Sequence, residues 1–159
     1  ENFKSMSNGV VKKVKYVLVY QVVEDTETMR IAKHIAKQLG CDVVELTARI
    51  NFSLSTTKDQ SADPQNFVSY FNNAEYVVTT SFHGAVFSIL FGRPFYVVGL
   101  NSDHDNRSRS LLTSLGLEDR LIAKHSSPEA SNIDYKFPNI KLEELRTRSL
   151  SFLVGALNG

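Results

Sequence analysis

The stretch YVVTTSFHGAVFSILFGRPFYVV, residues 76–98, decides how the chain reads. Two short apolar runs, YVVTT and PFYVV, enclose GAVFSILFG, and a polar pentapeptide, Thr80 to Gly84, interrupts them. β-Branched and aromatic runs of four to six residues suit buried strands, whereas an apolar run of about nine residues between them suits a helix. A strand, a turn and a helix leading straight into another strand form the unit from which parallel sheets are built. Read this way, 76–80 is a strand, 84–92 a helix and 94–100 a strand.

The flanking sequence repeats the alternation. VKYVLVY (14–20) is a strand. EDTETMRIAKHIAKQLG follows, with Met29, Ala32, Ile35, Ala36 and Leu39 at helical spacing, Asp25 or Thr26 as cap and Gly40 as stop. DVVEL (42–46) is a second strand, and residues 47–63 read as a polar loop. Asp63-Pro64 opens a helix that runs to about Ala74. NSDHDNRSRS (101–110) has no large apolar side chain and reads as a loop. SLLTSLGL is a short helix, RLIAK a fifth strand, and 140–157 a last helix with Leu142, Leu145, Phe152, Leu153, Ala156 and Leu157 as its apolar stripe. The expected fold is α/β, a Rossmann-like parallel sheet of about five strands with helices on both faces. Residues 1–13 read as a linker or tail and 14–159 as one domain.

Composition narrows the function. The 159 residues suffice for one core, and 42% apolar with 22% charged residues is ordinary for a globular domain. A formal charge of +1 with interspersed signs argues against a nucleic-acid partner. The single cysteine, Cys41, permits no internal disulfide and no multi-cysteine metal site, and it reads as a buried strand residue rather than a reactive thiol. The longest apolar run falls far short of the ~20 residues a membrane span requires, and no signal peptide opens the chain, so a cytoplasmic setting is expected. The helix at 84–92 has almost no polar face, so it is either central or covered by a domain outside this sequence.

In open parallel sheets, ligands bind beyond the carboxyl ends of the strands, which is where TTSFHG falls. Thr79, Thr80 and Ser81 supply hydroxyls, Gly84 permits close backbone approach at a helix start that can hold an anion, and His83 can exchange a proton near neutral pH. Tyr20 and Gln21 end the first strand on the same edge. Arg107 and Arg109, after the fourth strand, offer forked donors for phosphate or carboxylate. Phe82 reads as a core residue. His34 lies on the polar face of the first helix, and His104 and His125 lack any partner spacing. No HExxH, P-loop, GxGxxG or GxSxG pattern occurs, and no metal ligands cluster.

YVLVYQ (16–21), NFVSYFNNAEYVVTTSFHGAVFSILFGRPFYVV (66–98), NRSRSLLTSLGLEDRL (106–121) and LEELRTRSLSFL (142–153) together resemble the carboxyl-terminal half of polysaccharide pyruvyl transferases. The combination of TSFHGAVFS, RPF and RxxxLL carries the resemblance, which extends over nearly the whole chain from Lys15. It implies one half of a GT-B-like two-domain enzyme, with an amino-terminal domain missing from this sequence. The implied reaction moves pyruvate from phosphoenolpyruvate, as donor substrate and without a further cofactor, onto two hydroxyls of a saccharide acceptor. It makes a ketal during bacterial exopolysaccharide or cell-wall polysaccharide biosynthesis. The family's motif histidine falls on His83 and its arginine before a dileucine on Arg107. Where many members carry Arg-Leu-His-Gly, this chain has Ser81-Phe82-His83-Gly84. Two other readings fit the same architecture: a glycosyltransferase domain binding a sugar nucleotide, and a non-catalytic binding domain in which His83 is buried and dispensable.

Overall fold

The computed structural model describes residues 15–22, 24–47, 64–101, 103 and 105–157. The expected tail at 1–13 and almost all of the loop expected at 47–63 lie outside the described residues. Five strands form one parallel sheet: β1 (Tyr16–Gln21), β2 (Asp42–Thr47), β3 (Tyr76–Thr79), β4 (Phe95–Val98) and β5 (Leu121–Ile122), in the spatial order β2-β1-β3-β4-β5. The helices are α1 (Thr26–Leu39), α2 (Pro64–Asn73), α3 (Phe82–Leu90), α4 (Asp105–Leu115) and α5 (Lys136–Leu157).

The alternation of side chains along each strand sorts the core into two layers. Leu18, Val77 and Val97 point to one face, where Phe71 of α2, Ala85 and Ile89 of α3, and Leu112 and Leu115 of α4 cover them. Val17, Val19, Val78 and Val98 point to the other, against Ile31, Ala32, Ile35 and Ala36 of α1. The chain beyond β5 completes that second face. Tyr96 donates its hydroxyl to the Glu129 carbonyl at 3.0 Å, and Arg120 reaches the Ser131 hydroxyl at 2.8 Å while lying over the Tyr96 ring. Cys41 is not the buried strand residue expected: it lies half-buried just ahead of β2, where burial pushes its thiol up from the ordinary value.

Helix α1 begins and ends as its sequence signals require. Asp25 accepts hydrogen bonds from the Thr28 amide and the Thr28 hydroxyl, both at 2.9 Å, and Gly40 closes the helix in the left-handed region at φ 63°. The other Asp25 oxygen takes the Lys124 ammonium at 2.7 Å, tying the helix start to the segment after β5. Asp25→Ala is therefore expected to cost about 1–2 kcal/mol, read as a lower urea midpoint at unchanged slope.

Three expectations about the helices change. The stretch 101–110 is not all loop, because α4 starts at Asp105 and carries both Arg107 and Arg109. Its inward face opens with polar residues, Asp105 and Ser108, before Leu112 and Leu115, so hydrophobic periodicity hides the first turns. Asp105 accepts from the amides of Leu100 (3.0 Å) and Asn101 (2.8 Å), which pins the β4–α4 turn. Helix α3 begins two residues earlier than expected, and α2 and α4 pack against part of its apolar surface while Leu90 is 59% exposed. Phe87, for example, packs on Phe67 and Phe71. Helix α5 begins four residues early; of its expected stripe Leu142 packs against the core, while Leu145, Phe152 and Leu153 are exposed.

Candidate functional site

The strand order reverses at the β1–β3 pair: from β1 the chain moves outward to β2, then returns past β1 to β3 and continues to the opposite edge. Connections on either side of such a switch point diverge and leave a crevice at the carboxyl ends of the two strands. Tyr20 and Gln21 end β1 there, and Thr79 ends β3. The sequence places its polar interruption at this edge because the strand must stop and α3 must start within two residues.

Thr79 organises the crossing. Its buried hydroxyl donates to the Tyr20 carbonyl, linking β1 to β3 past the last strand residue, and accepts from the Ser81 amide at 3.0 Å. Gly84 rests on that side chain: a Cβ at position 84 would sit 2.2 Å from Thr79 Oγ1. The missing side chain lets α3 approach its own sheet, and Gly84 itself is buried. Ser81 is the N-cap of α3 but makes no side-chain cap bond. Burial pushes the nearby Tyr20 phenol above its ordinary value, and the Ser81 side chain pulls it partly back. An N-cap side chain normally takes the amide two or three residues on. Here those amides belong to His83 and Gly84, and the cap leaves them to another acceptor.

His83 is exposed on the first turn of α3, its ring edge-on to Phe82 at 5.7 Å between centroids. Phe82 is not the core residue the sequence suggests. It is half-buried at the surface, and the Arg107 guanidinium lies over its ring at 5.3 Å. One aromatic ring thus has an imidazole at its edge and a guanidinium on its face, a contact that holds Arg107 without consuming its hydrogen-bond donors. Among the described residues neither His83 nor Arg107 has a hydrogen-bond or ion-pair partner.

The remaining sequence candidates separate. Tyr20 is half-buried, its ring against Phe67 and Phe71, and its carbonyl accepts from the Thr79 hydroxyl. Thr80 is half-buried at the end of β3. Gln21 is buried with both ends of its amide engaged, donating to Glu45 at 2.9 Å and accepting from the Asp25 amide at 3.0 Å, so it braces the loop after β1. Arg109 does not join Arg107; it lines a cavity on the other flank of α4. The sequence also gave no hint of His125, whose ring nitrogen meets Glu27 at 3.1 Å across 98 positions. Among the described residues no three His, Cys, Asp or Glu side chains come together as metal ligands, and no helix is long and apolar enough to cross a membrane.

No curated protein and no solved structure shows significant similarity to the chain. The family model described as polysaccharide pyruvyl transferase, in contrast, matches residues 2–102. That stretch takes in β1 to β4 with the whole Thr79–Gly84 crossing, and stops short of α4 and its two arginines. A match over well more than half of the 159 residues, one that contains the switch point of the sheet, makes this chain a member of the polysaccharide pyruvyl transferase family.

Proposed function

We propose that this domain is the donor-binding, carboxyl-terminal half of an enzyme that transfers pyruvate from phosphoenolpyruvate to two hydroxyls of a saccharide, forming a cyclic ketal and releasing phosphate. One observation carries the reading: His83 and Arg107, both exposed and both uncommitted, meet around Phe82 beside the uncapped first turn of α3. A dianionic phosphate and a carboxylate need such donors, and a helix N-terminus adds its dipole. Phosphoenolpyruvate arises in the cytoplasm, so the reaction is assigned there, on precursors of exopolysaccharide or cell-wall polysaccharide.

The chemistry follows from the donor. Carbon three of the enol gains a proton, carbon two becomes electrophilic, and the first sugar hydroxyl adds to it. The second hydroxyl then takes the place of phosphate, which leaves with the carbon–oxygen electron pair. The protons lost by the two hydroxyls balance the one gained at carbon three and the one taken up by the departing phosphate or its acid. His83 as imidazolium is the proton donor in this scheme, either to carbon three or to the leaving phosphate. Arg107 and the α3 amides hold the phosphate and carboxylate charge.

Titration calorimetry with phosphoenolpyruvate and with a UDP-sugar tests the donor assignment. Phosphoenolpyruvate is expected to bind, and Arg107→Ala to weaken it about tenfold or more, the loss of a charge-assisted contact. Binding of the UDP-sugar with silence towards phosphoenolpyruvate would make this a glycosyltransferase-like domain instead.

A further inference from the structure

Helix α4 has two working flanks. Arg107 leans over Phe82 on the α3 side. Arg109 follows two residues later, about 200° further round the helix, and faces the β5 side. There a cavity of about 290 Å³ opens between α4 and the segments that leave β4 and β5. We propose that this cavity is a second binding site, separate from the crevice at His83, and that its ligand is a neutral pyranose ring.

The lining has the composition of a sugar site. Leu121 and Ile122, with the fully buried Leu112 beneath them, make an aliphatic floor, while Arg109, Thr113, Glu118 and Asn101 supply polar groups around it. A pyranose has the matching character, with C–H groups on its faces and hydroxyls around its edge that both donate and accept. Among the described residues the side chains of Arg109 and Glu118 have no hydrogen-bond or ion-pair partner, so one fixed-sign donor and one acceptor remain for a ligand. The charges argue against an anion. Glu118 and the buried Asp105 stand in the same lining as Arg109, and two carboxylates beside one guanidinium repel a phosphate or a carboxylate. Asp105 is already committed to the Leu100 and Asn101 amides, and this fixes Asn101 at the mouth with φ 55°, a conformation asparagine tolerates. The volume lies just below the roughly 300–1,000 Å³ usual for small-molecule pockets, enough for one ring and too little for a sugar nucleotide.

The inference stands on this cavity and is independent of the donor reading. The test is a heteronuclear NMR titration of the chain with methyl glucoside, methyl galactoside and methyl mannoside, and separately with inorganic phosphate and with phosphoenolpyruvate. At least one glycoside is expected to give saturable shifts at the Thr113 and Glu118 amides and the Arg109 Nε, and phosphate none at those positions. Glu118→Gln should weaken that glycoside about tenfold, the difference between a charged and a neutral acceptor for a hydroxyl, and Arg109→Gln should weaken it similarly. Both side chains are exposed, so circular dichroism of each variant should match the parent. Phosphate shifts at Arg109, or silence towards all three glycosides, overturns the proposal. Phosphoenolpyruvate shifts at Phe82–Gly84 that persist in Glu118→Gln show that such a failure belongs to this cavity and leaves the donor site untouched.

Discussion

Gly84→Ala is expected to destabilise the chain by roughly 3–5 kcal/mol, as overpacking and broken hydrogen bonds add. The new Cβ would lie 2.2 Å from Thr79 Oγ1 and 2.8 Å from Thr79 Cβ, distances no real pair of atoms keeps. Thr79 cannot turn aside freely, because its hydroxyl joins the Tyr20 carbonyl to the Ser81 amide. Rotating it leaves two backbone groups without partners in a buried place; moving α3 instead opens the packing of Ala85 and Ile89 on the sheet. Helix propensity alone points the other way, since alanine is favoured over glycine by about 1 kcal/mol within a helix. Gly84 is also absent from the positive-φ positions, so no backbone strain confuses the outcome. Urea denaturation decides between the two forces. Natural domains hold about 5–15 kcal/mol in all, so the steric reading predicts a large drop in midpoint. A neutral or stabilised variant would mean that α3 is not seated on Thr79. In a cycle with Thr79→Ala the double variant should cost less than the sum, because removing Oγ1 relieves the shortest contact.

The Gly84–Thr79 contact depends on packing that the letters alone do not carry, whereas other features are plain in the sequence. The alternation of VKYVLVY, DVVEL, YVV and FYVV with helical spacing is enough for a parallel α/β sheet, and Asp25 and Gly40 announce α1 by local hydrogen bonding and local conformation alone. The position of TTSFHG after a strand likewise places it on the ligand-binding edge. Gly84 was legible as a site of close approach, but which partner it approaches depends on Thr79, five residues earlier on a different element. Phe82 shows the same limit: an aromatic residue between polar ones reads as core, and its actual place under Arg107 is set by a helix 25 positions away. Helix α4 was missed at its start because burial of Asp105 and Ser108 rewards hydrogen bonding and small size, properties no hydrophobic pattern records. The stripe on α5 fails in the opposite direction. Periodicity finds an apolar face, yet Phe152 is 76% exposed, because a face is buried only where another element lies opposite. The cavity beside Arg109 draws on three separated segments and has no signature in any one of them.

His83→Ala should have the reverse profile to Gly84→Ala. The ring is exposed and makes no hydrogen bond among the described residues, so stability should change by less than about 0.5 kcal/mol. Turnover should nonetheless fall about a hundredfold or more, the usual worth of a positioned proton donor. The measurement is phosphate release from phosphoenolpyruvate in the presence of a saccharide acceptor, made on the polypeptide that joins this domain to its expected amino-terminal half. Arg107→Ala provides the contrast. If Arg107 grips the donor, its loss raises KM, whereas loss of a proton donor lowers kcat at nearly unchanged KM. His83→Gln refines the assignment, because glutamine keeps an N–H donor near the same place but cannot release a proton. Equal loss in the alanine and glutamine variants supports proton delivery by the imidazole. Recovery in the glutamine variant moves His83 from moving a proton to holding the phosphate beside Arg107. Normal turnover in the alanine variant, with the fold intact, removes His83 from the chemistry altogether and leaves the Phe82 platform as a site for Arg107 alone.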